Sequence, residues 1–302
     1  MKIQTKITAI MAVLFSVVAC NGNDEPVKDN WNNEIRLSSG VTVQRTRANN
    51  TDVPDKQIAE NEEIGIYVKS TGGETVLYSN IIRIADGEGA LNLSQDNPQA
   101  MYYPADGGSV KISAYHPYIA SDDAYDFIVK EDQSNLPAYA SSDLLYSTEK
   151  AFDRSKEAQS LTFNHLLSKV KCILTKGDGT TDADLVGAII EIVTPERAVR
   201  FNPQTGTTES PSTSAKDKNI KIGIDGIILP PQTFAIGSQM LKITLPAAGN
   251  TVYYYKPTTT EQVLEKEKVY TYTIALNATA VTITSAITDW SPISRSGIAT
   301  MD

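Results

Sequence analysis

Apolar side chains recur at every second position along most of this chain, and that period commits it to sheet. Ile35-Arg36-Leu37 and Val41-Thr42-Val43 put apolar residues at odd positions and mostly polar ones between them. That is the pattern of a strand with one buried face. Similar runs predict strands over residues 64–68, 75–80, 109–115, 160–163, 169–174 and 188–193. Others follow over 220–224, 232–236, 241–245, 251–256, 269–276 and 281–287. Turn chemistry separates them, in Gly72-Gly73, Asp86-Gly87, Asp106-Gly107-Gly108, Gly177-Asp178-Gly179, Pro230-Pro231 and Gly249-Asn250. Many short strands at this spacing mean sandwich or barrel. One short helix is expected, around residues 153–159.

The N-terminus reads differently. Lys2 and Lys6 precede an unbroken apolar and small run over residues 7–19. The run is too short for a permanent membrane span but suits a signal peptide. It ends in Val17-Val18-Ala19-Cys20, the pattern of a bacterial lipobox, after which Asn21-Gly22-Asn23-Asp24-Glu25 is abruptly polar. The expected exported form therefore starts at Cys20, with the thiol carrying lipid and residues 20–33 as a tether. No second apolar run approaches about 18 residues, so no further span is expected.

The remaining chain of about 280 residues suits two domains. A polar, loop-rich stretch before residue 158 marks the expected boundary, giving sandwiches over 34–157 and 158–302. Residues 204–219 read as an exposed polar insertion. The formal charge is -9, more negative by two once Lys2 and Lys6 leave. Such a surface argues against nucleic acid as a partner. With Cys20 lipidated, Cys172 stands alone, so no internal disulfide is available, and its alternating context reads as a small core residue.

Catalytic chemistry has little footing. No His-Glu-x-x-His, Cys-x-x-Cys or Gly-x-Ser-x-Gly spacing is present, and the glycines sit at hairpin turns. His116 and His165 read as hydrogen-bonding groups beside a core rather than bases. Asp122 with Asp123, and Asp182 with Asp184, lack regular calcium-loop spacing and read as solvated acids. An enzyme is not expected, nor a metal or cofactor. One accessible site remains: the run ending at Val43 continues into Gln44-Arg45-Thr46-Arg47, two arginines in a polar linker open to a trypsin-like protease.

Several longer stretches carry a family resemblance. They are Ile64-Gly65-Ile66-Tyr67-Val68, Met101-Tyr102-Tyr103-Pro104, Ala114-Tyr115-His116-Pro117-Tyr118, Ser142-Asp143-Leu144-Leu145-Tyr146 and the run from Leu161 to Val170. Tyr270-Thr271-Tyr272-Thr273-Ile274, Val281-Thr282-Ile283 and Ile287-Thr288-Asp289-Trp290 close the series. In this order the chain resembles the fimbrillin-like proteins of Bacteroidetes, the subunits of type V pili. The resemblance implies two tandem transthyretin-like β-sandwiches, export as an outer-membrane lipoprotein, and assembly into a surface fimbria that supports adhesion. It implies an arginine-specific protease that removes an N-terminal strand, here 34–44 with Ile35, Leu37, Val41 and Val43 facing the core, by cutting after Arg45 or Arg47. A strand from another pilin subunit then fills the groove. Residues 291–302, with Pro292 and few apolar side chains, make a poor donor strand. That favours a tip or accessory subunit, with a lipid-retaining anchor also open. The alternative is a surface lipoprotein that binds glycan or host protein without polymerising, for which Tyr253-Tyr254-Tyr255 offer stacking faces.

Overall fold

Alternation becomes sheet almost throughout. The computed structural model describes residues 31–39, 58–72, 75–223, 225–278 and 281–290. The first elements are β1 (Leu37–Ser39), β2 (Glu63–Ser70), β3 (Val76–Ala85), β4 (Ala90–Leu93) and β5 (Val110–His116). Next come β6 (Tyr125–Ile128), the helix α1 (Leu136–Ala140), β7 (Leu145–Phe152), β8 (Gln159–Leu161) and β9 (Asn164–His165). The chain continues through β10 (Ser168–Lys176), β11 (Ile189–Ile192), β12 (Ala198–Asn202), β13 (Thr207–Glu209), β14 (Ile220–Lys221) and β15 (Ile227–Leu229). The last elements are β16 (Gln232–Phe234), β17 (Leu241–Leu245), β18 (Thr251–Tyr255), β19 (Gln262–Leu264), β20 (Lys268–Leu276) and β21 (Val281–Asp289).

These strands form an all-β sandwich fold. One large sheet runs β8-β1-β4-β3-β2-β5-β7-β9. Two four-stranded sheets, β15-β10-β20-β21 and β14-β11-β17-β18, supply most of the second half. Their facing side chains, Leu241, Ile243 and Leu245 from one and Tyr270, Tyr272 and Ile274 from the other, belong to one buried core. β20 shows the logic plainly: Tyr270, Tyr272, Ile274 and Leu276 are buried while the residues between them are not. From Asn33 on, the chain is one compact unit.

The halves of the sequence share elements. β6 pairs antiparallel with β12. Phe201 of β12 then sits among Tyr115, Tyr125 and Tyr146, at centroid distances of 5.7, 5.9 and 6.4 Å. Edge-to-face contacts of this kind add to what area burial alone supplies. The polar insertion is indeed exposed, but it is pinned: β13 pairs with β12, and the Asp126 carboxylate accepts the Ser212 and Thr213 N–H groups.

The helix is not where the pattern predicts. Residues 153–158 between β7 and β8 form no helix. The helix that does form, α1, starts where Asn135 accepts the Ala138 N–H at 2.9 Å and Pro137 occupies the first turn. A capping side chain and a proline at the start outweigh a charged run without either.

Candidate functional site

The N-terminal segment is built into the large sheet rather than laid on it. β1 runs antiparallel to β4, with Leu37 opposite Leu91 and Ser38 opposite Ala90. On its other side it runs parallel to β8, with Leu37, Ser38 and Ser39 opposite Gln159, Ser160 and Leu161. The residues before it are paired too. Ile35 donates its N–H to the Met101 carbonyl at 2.8 Å, Asn33 accepts from the Tyr103 N–H at 2.9 Å, and Glu34 bridges Tyr102. A turn prepares one flank: the Asp86 carboxylate accepts the N–H groups of Glu88, Gly89 and Ala90, which presents the Gly89 carbonyl to Ser39 N–H at 2.7 Å.

Ile35 and Leu37 are 2% and 4% exposed, and Arg36 between them is exposed, as the alternation predicts. Beyond Leu37 the alternation stops, because Ser38 and Ser39 are both buried. Small side chains are what a strand covered on both faces can carry here. Burying two large aliphatic side chains is worth about 3 to 6 kcal/mol in all. That is a sizeable part of the roughly 5 to 15 kcal/mol that holds a domain together. Cys20, Val41, Val43, Arg45 and Arg47 lie outside the described residues.

Arg83 is a feature that the sequence reading passed over. It lies on the inward side of β3 between Ile81 and Ala85, 3% exposed. One guanidinium nitrogen donates to the Ile82 and Gln99 carbonyls at 2.8 and 3.0 Å. Burial pulls its pKa down, and the Glu34 carboxylate pulls it partly back. A charged residue on the buried parity of an alternating strand is the signal that marks it.

Neither histidine is arranged as a base with a nucleophile. His165 is fully buried, with Nδ1 2.8 Å from the Asp143 carboxylate and its ring stacked on Trp290 at 3.7 Å. His116 sits between the Glu63 and Ala140 carbonyls at 3.3 and 3.2 Å. Lys169, also buried, lies over the Tyr139 and Trp290 rings. Cys172 is half-buried and its thiol is pushed up to about 12 by burial, which keeps it unreactive near neutrality.

Asp122, Asp182 and Asp184 are engaged with protein groups. Asp122 accepts from Tyr67 and Ser79, Asp182 pairs with Lys176, and Asp184 accepts from Thr181. No cluster able to hold a metal occurs among the described residues. Tyr253 and Tyr255 pack against the core, leaving Tyr254 as the exposed member of that run.

The described residues form a multi-sheet β-sandwich with a buried N-terminal strand and a core of tyrosine and aliphatic side chains. Its particular kind follows from comparison: the fimbrillin-like family model matches residues 46–290, and the chain belongs to that family of structural fimbrial subunits. A Bacteroides uniformis relative with the provisional name fimbrium subunit Fim1C is 25% identical, over 97% of this chain and 96% of its own length. A solved Bacteroides uniformis protein provisionally named a cell adhesion protein shares the fold at TM-score 0.66 and 23% identity, covering 86% of this chain and 100% of its own. One from Bacteroides ovatus does so at TM-score 0.62 and 18% identity, covering 85% and 97%.

Proposed function

We propose that this chain is a strand-accepting subunit of a cell-surface fimbria, first tethered to the outer membrane by lipid on Cys20. An arginine-specific protease then cuts after Arg45 or Arg47, and the segment holding β1 leaves. The observation that carries this reading is the seat of β1, hydrogen-bonded on both flanks and filled by Ile35 and Leu37. Vacating it strips backbone partners from β4 and β8 and opens two apolar sites, a loss that a stable product must make good. A strand from another subunit does so by β-augmentation, with main-chain bonds giving affinity and alternate side chains giving register.

Residues 291–302 offer little as a donor, with Pro292 early and Ile293 and Ile298 as the aliphatic residues. A tip or accessory role fits that segment better than a donor role. In the same reading the segments before and after residue 158 are tandem sandwiches, and β8 crosses over to flank the accepting groove. N-terminal sequencing of assembled surface protein tests the reading. The expected first residue is Thr46 or Ala48. A polymer whose subunits still begin at lipidated Cys20 rejects strand removal and leaves a tethered, non-polymerising binder as the better account.

A further inference from the structure

We infer that β21 is an interaction edge whose partner is β21 of a second copy of this chain, laid antiparallel about a two-fold axis through Ser285. The contact joins two subunits side by side. It lies on a different sheet from β1 and does not depend on removal of the N-terminal strand.

β21 is nine residues long and pairs with β20 in unbroken register, from Asp289 opposite Lys268 to Val281 opposite Leu276. Among the described residues nothing pairs with its other side. An outer strand leaves a row of N–H and C=O groups open, and proteins blunt such edges with lysine, proline or a bulge. β21 has none of these. Val281 to Thr288 hold no charged residue, no proline and no glycine, and Asp289 at the end is paired with Lys268. The opposite end of the same sheet is treated otherwise, since Gln133 takes up both the N–H and the carbonyl of Ile228 in β15. A long, uncharged edge of threonine, valine and isoleucine is suited to pairing with another chain.

The core-facing side of β21 is also incompletely covered. Val281 and Ile283 pack against the core, but Ile287, opposite the buried Tyr270, is 58% exposed. The order of residues along the strand fits its own copy. Laid antiparallel about Ser285, it sets Ser285 opposite Ser285, Thr284 opposite Ala286, Ile283 opposite Ile287, Thr282 opposite Thr288 and Val281 opposite Asp289. Core-facing residues meet core-facing residues throughout. Each exposed Ile287 gains the Ile283 of the other copy, which is anchored in that copy's core. Threonine meets threonine on the outer face, and the two Asp289 carboxylates lie at opposite ends. Cross-strand aliphatic and threonine pairs of this kind stabilise a sheet. A shift by one residue sets isoleucine opposite threonine or alanine, and a shift by two sets Ile283 opposite Ser285 or Asp289. The two-fold makes the contact isologous, so it closes on a pair and does not run on into a filament.

The test is sedimentation velocity of the full-length protein in detergent over a concentration series, with hydrogen exchange measured at both ends of the series. The protein should pass from monomer to dimer as concentration rises, and protection should grow over Val281–Asp289 but not over β5 or β15. Ser285→Lys places two ammonium groups opposite each other and should weaken the dimer roughly fivefold. Ser285→Glu should do the same, and an equimolar mixture of the two variants should restore association. A short bismaleimide should join two copies of Ser285→Cys protein and not of Thr282→Cys protein, because each Thr282 faces Thr288. Should Ser285→Lys fail to fold, the cross-linking pair and the exchange pattern still decide the matter. A monomer at every concentration, a dimer that Ser285→Lys leaves unchanged, or equal cross-linking of the two cysteine variants overturns the inference. None of these results bears on strand replacement at β1.

Discussion

At the scale of single residues, the account rests on side chains whose burial and partners differ sharply within a few positions. Ile35→Ala and Leu37→Ala should each cost the uncut protein about 2 to 5 kcal/mol, read from urea unfolding. Arg36→Ala, at an exposed position between them, should stay within about 0.5 kcal/mol. Glu196 gives a pH test. Burial opposes its ionisation, but bonds from Ser214 Oγ and from the Ala215 and Ala198 N–H groups outweigh it and hold its carboxyl below the usual range. A depressed folded pKa stabilises above the unfolded value, about 4.3 for a glutamate, and that stability disappears as pH falls through the folded value. The stability gap between unaltered protein and Glu196→Gln should be flat from pH 7 to about 5 and should shrink at lower pH. A gap that grows on acidification contradicts the assignment.

At the scale of elements, the two outer strands of the β15-β10-β20-β21 sheet are treated differently. The edge of β15 is closed by a side chain: Gln133 Nε2 donates to the Ile228 carbonyl at 2.9 Å, and its Oε1 accepts the Ile228 N–H at 2.8 Å. Among the described residues β21 is paired with β20 alone, and Thr284 to Asp289 along it are exposed. Trp290 closes its far end, its ring stacked on His165 and its backbone N–H bonded to the Glu267 carbonyl at 2.8 Å. Trp290→Ala should therefore speed amide exchange across Val281–Asp289 while leaving β2 and β5 protected, by hydrogen-exchange mass spectrometry. Unchanged exchange in β21 would show that pairing with β20 suffices.

Elements also show what could be read in advance. Strands with one buried face, such as β17 and β20, follow from alternation alone. β15 does not, because Ile227, Ile228 and Leu229 are all buried and a strand covered on both faces has no period to read. β12 escaped notice for a related reason, since Ala198 and Val199 are buried side by side. The short α1 is set by its cap rather than by any helical period. At the site, Ile35 and Leu37 were legible as core-facing, but the buried pair Ser38–Ser39 and the Arg83 cation were not. Their role depends on β4, β8 and the Gln99 segment arriving from distant parts of the sequence.

At the scale of the whole molecule, residues from Asn33 on form a compact β-sheet body of the fimbrillin-like family, and the proposed function turns on what the residues around its first strand do. Cys20→Ala should abolish fatty-acid labelling and leave an unlipidated precursor; persistent labelling would reject the lipobox. The central claim is that cutting after the N-terminal strand converts a closed subunit into one that accepts a partner's strand. The most direct measurement is the size distribution of surface protein carrying Arg45→Ala together with Arg47→Ala, read on gels with and without heating. The account predicts a lipidated monomer trapped at the membrane. Entry of that double variant into heat-resistant, high-molecular-weight polymers would contradict it.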